Sequence, residues 1–167
     1  IRLAVEKQRR VLFLAHRREL IDQCAAKLDE AGVLHHGVIL SGHSKARAPH
    51  APVQVASIQT LIRRELPPAD LVMIDECHRA LAKSYLNLLA NYPAAKIIGL
   101  TATPERLDGK GLGDLFDDMV VVSTIPDLIA EGFLVEPECY GAPSGGPDLS
   151  RVKKRGGDYH EGQLQAA

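Results

Sequence analysis

Residues 11–15, Val-Leu-Phe-Leu-Ala, are apolar without interruption. A run of that kind, too short for a buried helix, predicts a strand covered on both faces. Over residues 18–31 the apolar positions Leu20, Ile21, Cys24, Ala25 and Leu28 recur at spacings of three and four, which predicts an amphipathic helix, and Gly32 is placed to end it. Val38-Ile-Leu40 predicts a second strand, closed by Ser41-Gly42, and residues 43–52, with Ser, Lys, Arg, His and two prolines, predict a loop. Residues 53–56 predict a third strand and residues 58–64 a short helix, before Pro67-Pro68 breaks the chain. The most apolar strand, residues 71–74, runs directly into Asp75-Glu76. A helix is expected after it, with Leu81, Tyr85, Leu88 and Leu89 on one face and Pro93 beyond its end. Ile97-Ile-Gly-Leu100 predicts another strand, ending in Thr101-Ala-Thr-Pro104. Beyond a glycine-rich loop (Gly109, Gly111, Gly113) the pattern predicts a short strand at 119–122, a helix over 126–131 stopped by Gly132, and a last strand over 135–140. From residue 143 to residue 157 the composition turns to Gly, Pro, Ser, Lys and Arg, as in a linker or exposed tail.

Strands alternating with helices imply an α/β domain with a mostly parallel sheet. Chemistry in such sheets collects at the carboxyl ends of the strands, where Asp75-Glu76 and Thr101-Ala-Thr103 both fall. Composition narrows the classes. The 167 residues suit one domain or a domain with a tail, and 46% hydrophobic with 25% charged residues excludes a chain disordered throughout. Lys and Arg number 20 against 21 Asp and Glu, so an overall basic nucleic-acid binder is excluded while a local basic face is not. Without Trp, and with aromatics at 4%, a surface built on base-stacking platforms is not expected. Cys24, Cys77 and Cys139 are odd in number, widely spaced and contain no CxxC, which argues for reduced thiols. His35, His36, His43 and His50 lack ligand spacing for zinc. No apolar run is long enough to span a bilayer, the first ten residues hold no signal-peptide core, and a cytoplasmic protein is expected.

Two adjacent acids at a strand end point in different directions. One carboxylate can hold a hydrated Mg²⁺ while the other orients or deprotonates a water. That division of labour is the Walker B arrangement of nucleotide hydrolysis. Two hydroxyls at i and i+2, Thr101 and Thr103, lie on one side of an extended backbone and can bond the carboxylates and imidazole of the neighbouring strand end.

These residues together resemble the superfamily 2 helicases and translocases of the DEAD/DEAH-box type. Asp75-Glu-Cys-His78 is similar to motif II and Thr101-Ala-Thr103 to motif III. Phe13-Leu-Ala-His-Arg-Arg-Glu-Leu20 resembles motif Ia in the form found in restriction-enzyme helicase subunits, and Ser57-Ile-Gln-Thr-Leu61 stands where motif Ib belongs. Arg106-Leu-Asp-Gly-Lys-Gly-Leu-Gly113, Leu115-Phe-Asp-Asp-Met119 and the stretch from Pro147 to Tyr159 resemble later segments of the same subgroup. The resemblance implies a RecA-like P-loop NTPase domain, a three-layer sandwich with a mostly parallel sheet, over residues 1–142, and a linker toward a second such domain over residues 143–167. It implies ATP and Mg²⁺ as cofactors. Asp75 would hold the metal through water, and Glu76, beside the metal, would be the general base. His78, Thr101 and Thr103 would couple the nucleotide site to nucleic acid. Arg18, Ser41, Gly42, Gln59 and Thr60 would line the nucleic-acid track. The implied partners are DNA, single-stranded or duplex, with RNA as the alternative, together with the second RecA-like domain or nuclease and methylase subunits.

The chain departs from the family pattern in one large respect. No GxxxxGK[ST] occurs; Gly109-Lys-Gly111 lacks the hydroxyl residue and follows no strand. Residues 1–10 therefore read as the end of the helix that follows the phosphate loop. The expectation is a fragment that lacks the first strand and that loop and does not turn over ATP alone. Cys77 stands where Ala is usual, and a small apolar thiol fits the same space. The rival expectation is a non-catalytic nucleic-acid-binding or scaffold remnant of the same fold.

Overall fold

The computed structural model describes residues 1–42, 48–80, 82–103 and 111–138, with the backbone of 154–155 and 158–159. The chain falls into two compact units, Ile1–Asp117 and Asp118–Ala167. In the first, a short helix α1 (Arg2–Glu6) precedes β1 (Val11–Ala15), α2 (Arg18–Glu30), β2 (His36–Ile39), β3 (Val53–Ser57), α3 (Ile58–Leu61), β4 (Leu71–Asp75), α4 (Lys83–Leu89) and β5 (Lys96–Leu100). The strands form one all-parallel sheet in the order β2-β3-β1-β4-β5. β1 lies at its centre, with Val11 in register with both Val53 and Leu71.

The continuous apolar runs follow from this position. Side chains alternate across a strand, so a strand between two helical layers needs apolar residues at every position. Leu12 and Leu14 enter a core with Val72 and Ile74 of β4, Leu61 of α3, and Tyr85, Leu88 and Leu89 of α4. Val11, Phe13 and Ala15 enter the opposite core with Val53 and Val55 of β3 and with Ile21 and Leu28 of α2. The result is the expected α/β three-layer arrangement. Because every strand is parallel, the carboxyl ends of β1, β3, β4 and β5 share one edge of the sheet.

Several expectations need correction, among them the helix expected over 58–64, which ends at Leu61. β2 begins at His36, two residues early; the His36 ring is buried and its Nδ1 lies 2.9 Å from the Val33 carbonyl, while its Nε2 is buried without a partner. The helix after Asp75-Glu76 does not start at once. A 3-10 turn, Cys77–Arg79, comes first, and α4 begins only at Lys83; the expected facial residue Leu81 lies outside the described residues. The strand expected at 119–122 is absent, and Val120 and Val122 are 80% and 93% exposed. A β-branched run has strand propensity, but without a neighbouring ladder it forms no strand.

In the second unit α5 (Ile125–Ala130) carries a capping box, Thr124 Oγ1 accepting from the Asp127 N–H while Asp127 accepts from the Thr124 N–H. Residues 135–138 form no strand, and 139–140 lie outside the described residues. β6 (Lys154–Arg155) pairs antiparallel with β7 (Asp158–Tyr159), so part of the expected tail is a short hairpin. Gly109 of the glycine-rich loop lies outside the described residues.

Candidate functional site

β4 ends at Asp75, half-buried, and the next residue turns the chain sharply. Glu76 has φ 51° and ψ 51°, the left-handed region that a residue with a Cβ adopts only at some cost. Strain of this kind gathers at functional sites. Here the turn stacks Cys77 into the core, 3% exposed, and leaves Glu76 and His78 at the sheet edge.

His78 is the hub. Its Nδ1 lies 3.3 Å from Glu76 Oε2, 3.1 Å from Thr101 Oγ1 and 3.3 Å from Thr103 Oγ1. The Thr101 hydroxyl donates to the Thr103 carbonyl at 3.0 Å and accepts the Thr103 N–H at 3.0 Å. With its hydrogen directed to the Thr103 carbonyl, that hydroxyl presents a lone pair to the His78 ring, and Glu76 Oε2 stands near the same ring nitrogen. β5 stands beside β4, with Asp75 in register with Leu100, and this brings Thr101 and Thr103 to Glu76 and His78. The expected set of Glu76, His78, Thr101 and Thr103 is thus one connected cluster.

Asp75 forms no hydrogen bond or ion pair with any described residue and keeps its oxygens free. Mg²⁺ is bound by one or two carboxylates plus waters and phosphates, so this hard, partly exposed donor fits it. Among the described residues no three His, Cys, Asp or Glu gather into a metal cage.

The loop residues at the ends of β1, β2 and β3 also meet. Arg18 Nη2 donates to the Ser41 carbonyl at 2.7 Å, and the Ser41 N–H donates to Thr60 Oγ1 at 3.2 Å. Gln59 accepts from the Ser57 hydroxyl at 2.6 Å and donates to the His16 carbonyl at 3.4 Å. Gly42, at φ +68°, adjoins the Arg18 guanidinium. Arg18, Ser41, Gly42 and Gln59 are exposed and Thr60 half-buried. Part of their hydrogen-bonding capacity is spent on one another, so the row is a preformed ledge and not a set of free donors.

The sequence placed His16 only inside the motif Ia-like segment and Tyr85 only on the apolar face of the expected helix, with no site role for either. Burial, with the Arg79 and Arg17 cations, pulls the His16 ring below the usual histidine range, against the weaker opposite pull of Glu76 and Asp75. Only its place one residue past β1, at the working edge, could have marked it.

Comparison with known proteins adds an independent line. Residues 1–106 match the family described as type III restriction enzyme, res subunit. A 51.5 kDa protein of a Lactococcus phage is 32% identical over 99% of this chain and 33% of its own length. The putative ATP-dependent helicase IRC3 of Saccharomyces cerevisiae is 32% identical over 93% of this chain and 24% of its own. The crystal structure of the Hef helicase domain of Pyrococcus furiosus covers 87% of this chain and 31% of its own, at 26% identity and a TM-score of 0.45. The chain spans a third or less of the length of these relatives. A match across well over half of the chain, on top of a parallel α/β sheet, places the protein in the restriction-enzyme res-subunit family, with the RecA-like domain of superfamily 2 helicases.

Proposed function

We propose that this chain is the nucleotide-hydrolysing half of an ATP-driven DNA helicase or translocase. The observation that carries the reading is the His78 imidazole, which joins the Glu76 carboxylate to the Thr101 and Thr103 hydroxyls across two strand ends. In this reading Glu76 takes the proton from the water that attacks the terminal phosphate, and the His78 ring, 3.3 Å from its Oε2, positions the carboxylate. Asp75 holds magnesium through water; the metal, when bound, neutralises polyphosphate charge. His78 and the two threonines pass the state of the nucleotide to neighbouring elements. The ledge of Arg18, Ser41, Gly42, Gln59 and Thr60 receives backbone phosphates of a DNA strand, RNA being the alternative. Restriction-enzyme kinship favours DNA, with a second RecA-like domain and nuclease or methylase subunits as partners of the whole protein. Residues 143–167 lead toward that second domain.

No GxxxxGK[ST] grips a triphosphate in these 167 residues, so the chain assayed alone turns over no ATP. Joined to the flanking sequence of its gene, it hydrolyses ATP with Mg²⁺, and single-stranded DNA accelerates the reaction. The test is phosphate release with and without oligonucleotide. Turnover that DNA leaves unchanged, or none with the flanks restored, contradicts the reading.

A further inference from the structure

A cleft of about 240 Å³ opens on the first unit beside the motif II turn, lined among others by His16, Gln59, Ile62, Arg79, Ser84 and Tyr85. Three observations single it out. The Tyr85 side chain is 5% exposed and its Oη has no hydrogen-bond partner. Both ring nitrogens of His16 are likewise buried and without partners. Buried polar side chains are nearly always satisfied, and two exceptions lining one cleft call for a ligand or solvent that completes them. The third observation is Arg79, which lines the same cleft, is exposed, and forms no ion pair among the described residues.

The chemistry of the lining selects an anion. Arg79 offers a guanidinium fork, Ser84 and Tyr85 offer hydroxyls, and Gln59 an amide. A guanidinium with hydroxyl and imidazole donors around it matches a tetrahedral oxyanion. Asp75 and Glu76 pull the opposite way on His16, but less than Arg79 does. We propose that this cleft binds a phosphoryl group, with Arg79 as the charged anchor and Tyr85 and His16 closing on its oxygens. The cleft contains none of Glu76, His78, Thr101 and Thr103, and it adjoins the ledge through Gln59, which belongs to both and donates to the His16 carbonyl. The phosphoryl group has two sources, a nucleic-acid backbone or free phosphate. The first rests on the nucleic-acid reading above; the second does not.

The experiment follows the His16 ring resonances of the isotopically labelled chain by NMR at fixed ionic strength, with inorganic phosphate as the first probe. Saturable shifts are expected in the wild type. Arg79→Gln should weaken the apparent affinity at least ~10-fold, the scale of a lost charged hydrogen bond. Tyr85→Phe should weaken it about 3-fold or more. It should leave the unfolding midpoint of the free chain unchanged or higher, because the deleted hydroxyl has no partner there. Shifts that do not saturate, or equal affinities in wild type and Arg79→Gln, overturn the proposal, as does a Tyr85→Phe chain that binds phosphate normally but unfolds earlier. An oligothymidylate is then added. If it displaces phosphate, the backbone is the source. If it binds while phosphate stays, the cleft takes free phosphate. If it does not bind at all, the nucleic-acid reading fails and the phosphate result stands by itself.

Discussion

Gly99 shows how tightly the site is built at the scale of single residues. A Cβ at this position would lie 2.6 Å from Cys77 Sγ, 2.8 Å from Cys77 Cβ and 2.5 Å from Phe116 Cζ. β5 can pass over the motif II turn only because that residue has no side chain. Gly99→Ala should therefore destabilise the fold by about 1–3 kcal/mol, the usual cost of overpacking, and denaturant titration would read it. Cys77 fills the contact from below as a packed residue, and burial raises its thiol above the ordinary range. The residues of the proposed chemistry are legible in the sequence, because Asp75-Glu-Cys-His78 and Thr101-Ala-Thr103 each end an apolar strand. It does not show the left-handed turn at Glu76 or the unpartnered groups of His16 and Tyr85. Those depend on what tertiary packing leaves beside them.

Among the elements, the strands written as continuous apolar runs were the legible ones. β1, β3, β4 and β5 lie within a residue of their runs; β1 and β3 are buried at every position, as such a run predicts, whereas β5 is the edge strand and leaves Ile98 and Leu100 exposed, so its expected burial is not found. At 119–122 the same rule misled, because an apolar run states propensity and says nothing about whether a ladder partner exists. Interactions that tie elements together yield two predictions. Tyr92, just after α4, donates its hydroxyl to the Pro67 carbonyl at 2.8 Å, and burial raises its pKa from 10 to about 12. The folded chain then holds this proton where the unfolded chain loses it. Stability should be intact below about pH 10 and fall as pH rises toward 12, and Tyr92→Phe should lessen that fall in urea titrations over this range. Cys24, raised from 9 to about 11 by burial, contributes a loss of the same sign starting one unit lower. The second prediction concerns the ledge. Arg18 is exposed, and its hydrogen bond to the Ser41 carbonyl leaves other guanidinium donors for a phosphate. Arg18→Ala should flatten the salt dependence of oligonucleotide binding by roughly one phosphate, about 0.7 in log–log slope for single strands. It should leave the chain folded. Anisotropy at several salt concentrations reads the slope, and equal slopes would remove Arg18 from the ledge.

For the molecule as a whole, a net charge of -1 means that the proposed nucleic-acid binding would rest on a local surface and not on the average field. The parallel sheet supplies that surface, gathering four strand ends on one edge and laying the ledge and the acid cluster along it. No helix among the described residues is long and apolar enough to cross a membrane. The chain covers 33% of the length of the phage relative and 24% of that of the yeast helicase, and the proposed function assigns residues of its sheet to ATP hydrolysis. The central claim is that Glu76 is the base in that hydrolysis. Its most direct test is the DNA-stimulated ATP hydrolysis rate of the chain joined to its flanking sequence, wild type against Glu76→Gln. The account predicts a fall of at least ~10²-fold, the scale of a lost general base; an unchanged rate in the variant would contradict it.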